Sequence, residues 1–280
     1  ETHLPVFKRL GITAINWGLV SGKSNTIFPW GSPEGTPEPV LWFHDVFRKD
    51  GTPFSPLETD VIKYLTGKTP PNGEMDISVA DKPAPSTGKT LYVHNRAPLQ
   101  PEAFLKLPAG AVHPRGWLLE AMTRQKNGLN GHLEEISAWL QKDKNAWLSP
   151  TGEGEWGWEE VPYWLKGYLS LAIAMKNDSM LREAKVWIDG ALGSQRPDGN
   201  FGPIFTDSRD VEDFWPKMIM LYCLQTWYEH TSDARVIDLM KRFFRYQLAY
   251  PEDKFLDQYW QKMRGGDNLT SVLWLYNRTG

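Results

Sequence analysis

The segment from Gly152 to Tyr168 combines carboxylates and aromatic rings more densely than any other part of the chain. Two adjacent glutamates, Glu159 and Glu160, stand at the beginning of a run with helical periodicity. Their aromatic neighbours are Trp156, Trp158, Tyr163 and Trp164. Flat aromatic rings stack on the C–H faces of sugars, and carboxylates accept hydroxyl hydrogen bonds or transfer protons. The segment therefore indicates a carbohydrate site with Glu159 or Glu160 as catalytic acid or base.

The same residues also fit an ordinary helix start. Acidic side chains stabilise the N-terminal end of a helix, so either glutamate could be a simple cap. Trp158 and Trp164 could equally be core residues, because a large helical domain buries many aromatic rings. The sequence leaves the functional and the structural interpretation open.

Three other clusters place polar side chains beside turns and helix starts. The candidates for substrate contacts in these clusters are Asp198 and Asn200, then Asp213, Trp215 and Lys217, and finally Asp267 and Asn268. Pro197–Gly199 is also a turn signature, Pro216 an ordinary first-turn residue and Asp267 a good N-cap, so local structure explains each cluster as well. Because three of the four clusters precede alternate helices, we expect them to meet on one face of the molecule.

Composition excludes several classes of partner. The 280 residues include 31 Lys+Arg and 34 Asp+Glu, a net charge of −3 that leaves no basic footprint for nucleic acid. No run of about 18 apolar residues could span a membrane. The six histidines lack metal-ligand spacing and Cys223 is the one cysteine, so we predict no metal site within the chain. The 14 tryptophans suit either sugar stacking or large helical cores.

Residues 105–280 carry apolar positions at helical spacing, separated by short polar connectors. The predicted helices are Trp117–Gln125, His132–Leu140, Pro162–Met175, Ser179–Gln195, Phe214–His230, Ala234–Leu248 and Asn268–Asn277. Asn177–Leu181 matches Ser232–Val236, which indicates a helical-hairpin repeat and hence a solenoid or a closed α/α toroid. We expect the tryptophans inside these helices to be core residues, namely Trp139, Trp187, Trp227 and Trp274.

Residues 1–67 and 68–104 differ from the helical region. Ile12–Val20 predicts a buried strand because it is almost continuously apolar, and Leu4–Leu10 and Ser55–Leu65 predict helices. One strand and two helices cannot form a core, so we expect residues 1–67 to be the end of a larger α/β domain. Repeated prolines mark residues 68–104 as a linker.

Residues from about 105 to 280 resemble the N-terminal half of the β-L-arabinofuranosidase-like family of α/α-barrel glycoside hydrolases. The motifs that carry the resemblance are Gly128-Leu-Asn-Gly-His132, Trp158-Glu-Glu-Val-Pro-Tyr-Trp-Leu-Lys166, Gln195-Arg-Pro-Asp-Gly-Asn200 and Arg264-Gly-Gly-Asp-Asn268. The resemblance implies a mainly α fold, part of an (α/α)6 barrel, and exo-hydrolysis of plant cell-wall glycans. It also implies a Cys nucleophile, a Zn²⁺ site and a Glu whose motifs lie beyond Gly280. The chain departs from members with arabinofuranosidase activity at one position: those members carry Gly-His on the helix that here reads Met218–Met220.

Residues 1–67 are similar to the end of a (β/α)8-barrel glycoside hydrolase, through Ala14–Gly18, Gly22-Lys23 and Trp42–Asp45. In that family a tryptophan at the end of the eighth strand lines the sugar site, which implies this role for Trp17. The catalytic glutamates of such a barrel would precede Glu1. We therefore expect the chain to be an internal piece of a longer protein with two carbohydrate-active modules.

Together these observations predict a glycoside hydrolase that acts on the side chains of plant cell-wall polysaccharides. Its partner would be an oligosaccharide or polysaccharide and its location secreted or periplasmic. No cofactor is expected within this chain, although Zn²⁺ is possible in a longer protein. Because neither module's catalytic set lies within the chain, we expect the 280 residues alone to be inactive. Two other functions stay open: a non-catalytic carbohydrate-binding toroid, and a sugar lyase or isomerase of similar fold.

Overall fold

The computed structural model describes residues 3–22, 26–67, 93–205, 209–257 and 259–280. The chain divides into two units, Glu1–Pro83 and Ala84–Gly280, and each is described by itself. Most of the predicted linker, residues 68–92, lies outside the described residues. Helices are the regular structure of both units, and the described residues form isolated β-bridges but no sheet.

Both predicted helices of the first unit are confirmed, as α1 (Leu4–Leu10) and α2 (Pro56–Thr66). The first ends at Gly11, whose φ of 69° lies in the left-handed region that glycine adopts without strain. The second begins at the Ser55 hydroxyl, which accepts a hydrogen bond from the Glu58 amide at 3.4 Å. Local sequence signals therefore define the ends of both helices.

The predicted buried strand Ile12–Val20 is wrong. Among the described residues this segment pairs through one parallel bridge, between Val20 and Phe47. Ile15 is 89% exposed, so the apolar run is not buried. A buried parallel strand needs a neighbouring strand on both sides. Among the described residues, residues 12–20 have a single bridge to one neighbour instead. The segment therefore lies extended without a hydrogen-bond ladder.

The second unit is helical, as predicted. Its helices are α3 (Gly116–Asn127), α4 (Leu129–His132), α5 (Glu160–Ala174), α6 (Asp178–Gly193), α7 (Trp215–Thr231), α8 (Ala234–Ala249), α9 (Tyr259–Met263) and α10 (Gly265–Thr279). The α5–α6 and α7–α8 pairs are helical hairpins with short connectors, the arrangement expected of an α/α-barrel glycoside hydrolase. Helix α9 is not predicted from the sequence, because five residues are too few to show a periodic apolar pattern.

Helices α5, α7 and α10 lie side by side and run in the same direction. The hydrogen-bonded pairs between α7 and α10 advance together along both helices, as Tyr222–Asp267, Gln225–Ser271 and Glu229–Trp274. The start of α7 meets the start of α5 through a hydrogen bond between Trp215 and Glu159. The N-terminal ends of these three helices therefore share one face, which confirms the expectation from the alternating polar clusters.

The intervening helices α6 and α8 begin with side-chain caps. The Asn177 carboxamide oxygen accepts a hydrogen bond from the Met180 amide at 3.0 Å, and the Asp233 carboxylate accepts one from the Arg235 amide at 3.1 Å. These two caps lie in the turns that the sequence repeat marks. The central helix α7 is buried on nearly all sides, which fits its almost uninterrupted apolar sequence.

The predicted helix His132–Leu140 is also wrong, because this segment is the end of α4 followed by the 3-10 turns Leu133–Glu135 and Ala138–Leu140. The Asn145 side chain donates hydrogen bonds to the carbonyls of Trp139 and Gln141, at 3.1 and 2.9 Å. These carbonyls are therefore held by a side chain and do not continue a helix. Trp139 is 48% exposed, so its predicted place in the core is wrong. The other three tryptophans predicted as core residues are buried, namely Trp187, Trp227 and Trp274.

Candidate functional site

The shared face carries a first row of side chains across the starts of the three parallel helices. We call Glu159, Trp215 and Arg264 the open row. The Trp215 indole N–H donates to Glu159 Oε2 at 2.6 Å, and the Arg264 guanidinium carbon lies 4.2 Å from the centre of the Trp215 rings. A carboxylate, an indole and a cation are thus held in contact by residues more than 40 positions apart in sequence.

A second row lies farther along the same helices. Lys166 Nζ is 4.8 Å from the centre of the Tyr222 ring, and the Tyr222 hydroxyl donates to Asp267 Oδ1 at 2.9 Å. Burial, together with this hydrogen bond, raises the pKa of Tyr222 to about 12, so the phenol stays protonated at neutral pH. Tyr163 joins the rows because its ring contacts Trp215 edge to face, and its side chain is 47% exposed.

Glu160 is the first residue of α5, next to the open row. Its Oε2 atom is buried, and within the described ranges no residue donates a hydrogen bond to it. Buried polar atoms normally have a partner, so this oxygen is an exception among the described residues. Glu159 belongs to the open row and Glu160 follows it at the start of α5, and a role of either glutamate as acid or base stays a prediction.

Lys217 and Asn200 lie instead in a buried cluster, which we define as Glu212, Lys217, Asn200 and Tyr246. Glu212 forms an ion pair with Lys217 and accepts hydrogen bonds from Asn200 Nδ2 at 2.7 Å and from the Tyr246 hydroxyl at 2.6 Å. Lys217 is only 1% exposed. Sugar binding by Lys217 and Asn200 stays an untested prediction, and this geometry favours a structural role because their polar atoms are engaged inside the protein.

Asp213 joins the buried cluster to the open row. Its Oδ1 atom accepts a hydrogen bond from the Trp215 amide at 2.9 Å, which fixes the start of α7. Burial raises the pKa of Asp213, while the Trp215 amide, Lys217 and the Trp158 indole N–H oppose that rise. The carboxyl therefore positions Trp215 and holds a proton more readily than an exposed aspartate does.

Three other predicted site residues have internal or local partners. Trp164 is buried, and its indole N–H donates to the Asn130 carbonyl at 3.1 Å. Asn268 exchanges two hydrogen bonds with the Gln247 carboxamide, at 3.0 and 3.1 Å. Asp198 accepts the Asn200 amide at 2.9 Å within its turn. Sugar contacts by these three residues stay predictions. The structural alternatives given from the sequence, a core position for Trp164 and a turn for Asp198, account for those two residues.

Trp156 and Trp158 line a groove of about 270 Å³ beside the open row. Trp139 and Phe205 complete its aromatic wall, through ring contacts of 5.8 Å with Trp156 and 5.7 Å with Trp158. Gly157 separates the two tryptophans with φ 89°, and a Cβ atom there would lie 2.1 Å from the Asn145 side chain. Glycine is therefore required for the two rings to line the same groove.

Trp17 belongs to the first unit and is described within that unit alone. It is 63% exposed, and its ring centre lies 5.0 Å from that of Trp30 in an edge-to-face contact. Trp30 also lines a cavity of about 390 Å³, together with Phe43 and His44. The ring contact places Trp17 beside an aromatic cavity, and its role in a sugar site stays a prediction.

Three residues of these rows are not predicted from the sequence, namely Arg264, Lys166 and Tyr222. Arg264 and Lys166 lie inside the family motifs, but a lone cation in a motif does not reveal what it contacts. Their positions follow from the parallel packing of α5, α7 and α10, which brings together residues about 50 positions apart. The useful signal was the alternation of polar clusters with helices, since that alternation predicts which helix starts meet.

The zinc chemistry implied by the resemblance finds no donor set in the described part of the chain. Within those residues no group of three or more His, Cys, Asp or Glu side chains could hold a metal ion. Cys223 is fully buried in α7, and burial raises the pKa of its thiol far above the ordinary value. Its Sγ atom contacts the Pro162 carbonyl at 3.4 Å. A thiolate ligand or nucleophile at this position does not fit these surroundings.

Comparison with known proteins gives the family. No helix among the described residues is both long and apolar enough to cross a bilayer. Neither the curated proteins nor the solved structures provide a significant match to the chain. A family model for the β-L-arabinofuranosidase GH127 catalytic domain matches residues 94–280, which covers most of the chain. The chain therefore belongs to the GH127 β-L-arabinofuranosidase-like family of glycoside hydrolases.

Proposed function

We propose that the second unit binds and helps to cleave terminal sugar residues, L-arabinofuranosyl units foremost, on the side chains of plant cell-wall polysaccharides. The observation that carries the proposal is the open row, where a carboxylate, an indole and a cation meet on the face shared by α5, α7 and α10, with the Tyr163 ring against the indole. Family membership supports glycosidase chemistry in this unit. The neighbouring aromatic groove offers a place for the rest of the glycan.

The two glutamates suit different tasks. Glu159 is fixed by the 2.6 Å hydrogen bond from Trp215, so it can accept a hydrogen bond from a sugar hydroxyl in a defined direction. Glu160 has a buried Oε2 atom to which no described residue donates, so it is the better candidate for carrying a proton to or from the glycosidic oxygen. Tyr163 flanks both, and its half-exposed ring offers a stacking surface.

Binding of the 280-residue chain to arabinofuranosyl oligosaccharides, measured by isothermal titration calorimetry, tests the proposal. We expect Glu159→Gln and Glu160→Gln each to weaken binding about tenfold, because a hydrogen bond to a charged group is lost. Glu120→Gln is the matched control, since Glu120 is an exposed carboxylate on α3, 3.8 Å from Arg124 and outside both the open row and the aromatic groove. Equal affinity in all three variants would contradict the assignment of the site.

Hydrolysis assays test whether the chain itself transfers the proton. Binding without release of arabinose is the result expected if the catalytic set lies outside the chain, and it agrees with the non-catalytic alternative as well. Release of arabinose that is lost in Glu160→Gln and kept in Glu120→Gln would assign the proton-transfer role to Glu160. Release that survives in both variants would overturn that role.

A further inference from the structure

Arg264 stands out in the open row because both of its near neighbours are aromatic. Its guanidinium carbon lies 4.2 Å from the centre of the Trp215 rings and 5.6 Å from that of Trp260. The residue is half-buried at the start of α10. Indole faces attract the flat face of a guanidinium group and fix its plane. The planar cation is therefore oriented before any ligand arrives.

The N–H edge of Arg264 is left for an external partner. Within the described residues no carboxylate lies within 4.0 Å of its nitrogen atoms, and no hydrogen bond from its side chain is formed. Two acidic side chains of the same face have other donors, since Glu159 accepts the Trp215 indole and Asp267 accepts the Tyr222 hydroxyl. A guanidinium group carries five N–H donors in a plane, and a half-buried one with no acceptor is suited to bind an anion.

Lys166 adds a second cation to the same face. Its side chain is exposed, its Nζ atom lies over the Tyr222 ring, and no described carboxylate pairs with it. Tyr222 in turn contacts Asp267, one turn after Arg264, and both cations lie over aromatic rings of α7.

We propose that Arg264 binds the carboxylate of an acidic sugar, so that the preferred glycan contains uronosyl residues. A carboxylate matches the guanidinium edge with two parallel hydrogen bonds, and such charge-assisted pairs are roughly twice as strong as neutral ones. The inference rests on the proposed function, since it names the chemical class of glycan bound at the same face. Among cell-wall polysaccharides it selects the acidic, pectic class over the neutral ones.

A matched pair of ligands tests the carboxylate directly. The 280-residue chain is titrated calorimetrically with a galacturonic acid trisaccharide and with its methyl ester, which keeps the ring and removes the charge. We expect the acid to bind about tenfold to a hundredfold more tightly than the ester. Arg264→Gln should abolish this preference, and Arg264→Lys should keep part of it because a lysine retains the charge but not the two-pronged geometry.

The control variant is Lys262→Gln, which removes one positive charge two residues away. Lys262 forms an exposed ion pair with Asp257 at 2.6 Å, outside the open row. It should keep the preference for the acid, and thermal unfolding of each variant checks that the fold is intact. Equal binding of acid and ester, or a preference that survives Arg264→Gln, would overturn the proposal.

The same titrations test the proposed function and the carboxylate assignment of Arg264 independently. A chain that binds arabinofuranosyl oligosaccharides but treats the acid and its ester alike contradicts the carboxylate assignment and leaves the proposed function standing. A chain that binds neither the arabinofuranosyl nor the galacturonosyl ligands contradicts both.

Discussion

The buried cluster and the open row both adjoin the start of α7, yet they use charged residues in opposite ways. In the buried cluster, Glu212 and Lys217 are almost inaccessible, and Asn200 and Tyr246 also donate hydrogen bonds to the carboxylate. In the open row, Arg264 has an indole on its face and no described acceptor on its edge. The difference shows that accessibility and partners, more than residue type, separate a structural cation from a ligand-binding one.

The electrostatic reason is desolvation. Burial lowers the pKa of Lys217, and the adjacent Glu212 charge opposes that shift. Both charges are tolerated because each satisfies the other and neither meets water. An open cation such as Arg264 remains partly hydrated, so it can exchange water for a ligand at modest cost.

The largest effect is expected from breaking the buried pair. Lys217→Met leaves the Glu212 carboxylate buried without its cation, and should lower the free energy of unfolding by about 3–5 kcal/mol. Urea denaturation followed by tryptophan fluorescence measures the change. Lys166→Met is the control, since its exposed ammonium has no acidic partner among the described residues, and it should stay within about 0.5 kcal/mol of the parent. Similar losses in the two variants would remove the contrast between the regions.

The next effect concerns Asn268, which the sequence places among the sugar contacts and the structure places against Gln247. Asn268→Ala leaves the Gln247 carboxamide without partners inside the protein and should cost about 1–3 kcal/mol of stability. Denaturation and glycan titration are measured together. A stable variant with weakened glycan binding would move Asn268 into the open row and contradict its structural placement.

Glu134 and Glu183 form a third cluster, in which burial and a neighbouring carboxyl change the pKa of a glutamate. Burial, followed by the hydrogen bond and charge of Glu183, raises the pKa of Glu134 to about 7. The folded chain therefore holds a proton that an unfolded carboxyl releases near 4.5, so this group's stabilising contribution is complete below pH 4.5 and is lost as the pH rises through 7.

Glu134→Gln should flatten the dependence of stability on pH between 4.5 and 7 and stabilise the chain by about 1 kcal/mol at pH 8, after allowance for solvent screening. Glu183 shifts the opposite way: burial raises its pKa, but hydrogen bonds with Lys142 and Glu134 lower it on balance. The stabilising contribution of Glu183 is therefore lost only as the pH falls below 4.5, outside the range over which Glu134 titrates. Glu120→Gln, which removes an exposed carboxylate that does not act on Glu134, should keep the parent's pH slope; a parent without any slope would refute the shifted pKa.

The smallest stability change is expected at Tyr163, whose ring contacts Trp215 of the open row. Tyr163→Phe removes a hydroxyl from a half-exposed side chain and should alter the free energy of unfolding by less than about 0.5 kcal/mol. It should nonetheless weaken arabinofuranosyl binding severalfold if the hydroxyl contacts the sugar. Tyr64→Phe, on the exposed surface of α2, should change neither quantity. A large loss of stability in Tyr163→Phe would place this tyrosine with the buried residues.

Much of the fold could be predicted from sequence because helix signals are local. Ser55, Gly11 and the alternating apolar positions of α5 to α8 act within one or two helical turns, and those helices were found close to their predicted bounds. The strand Ile12–Val20 was wrong for the opposite reason. A strand exists only through partners elsewhere in the chain, and an apolar run does not reveal whether they are present.

By itself the sequence determined that the chain is mainly helical, that polar clusters stand at alternate helix starts, and that its motifs belong to a glycoside hydrolase family. Only the tertiary structure decided which of those polar residues are open. Trp215 meets Glu159 across 56 positions and Tyr246 reaches Glu212 across 34, and these contacts set the burial and the partners of each charge. Burial and pairing control the energy of a charged group, so they also decide which groups remain able to bind a ligand.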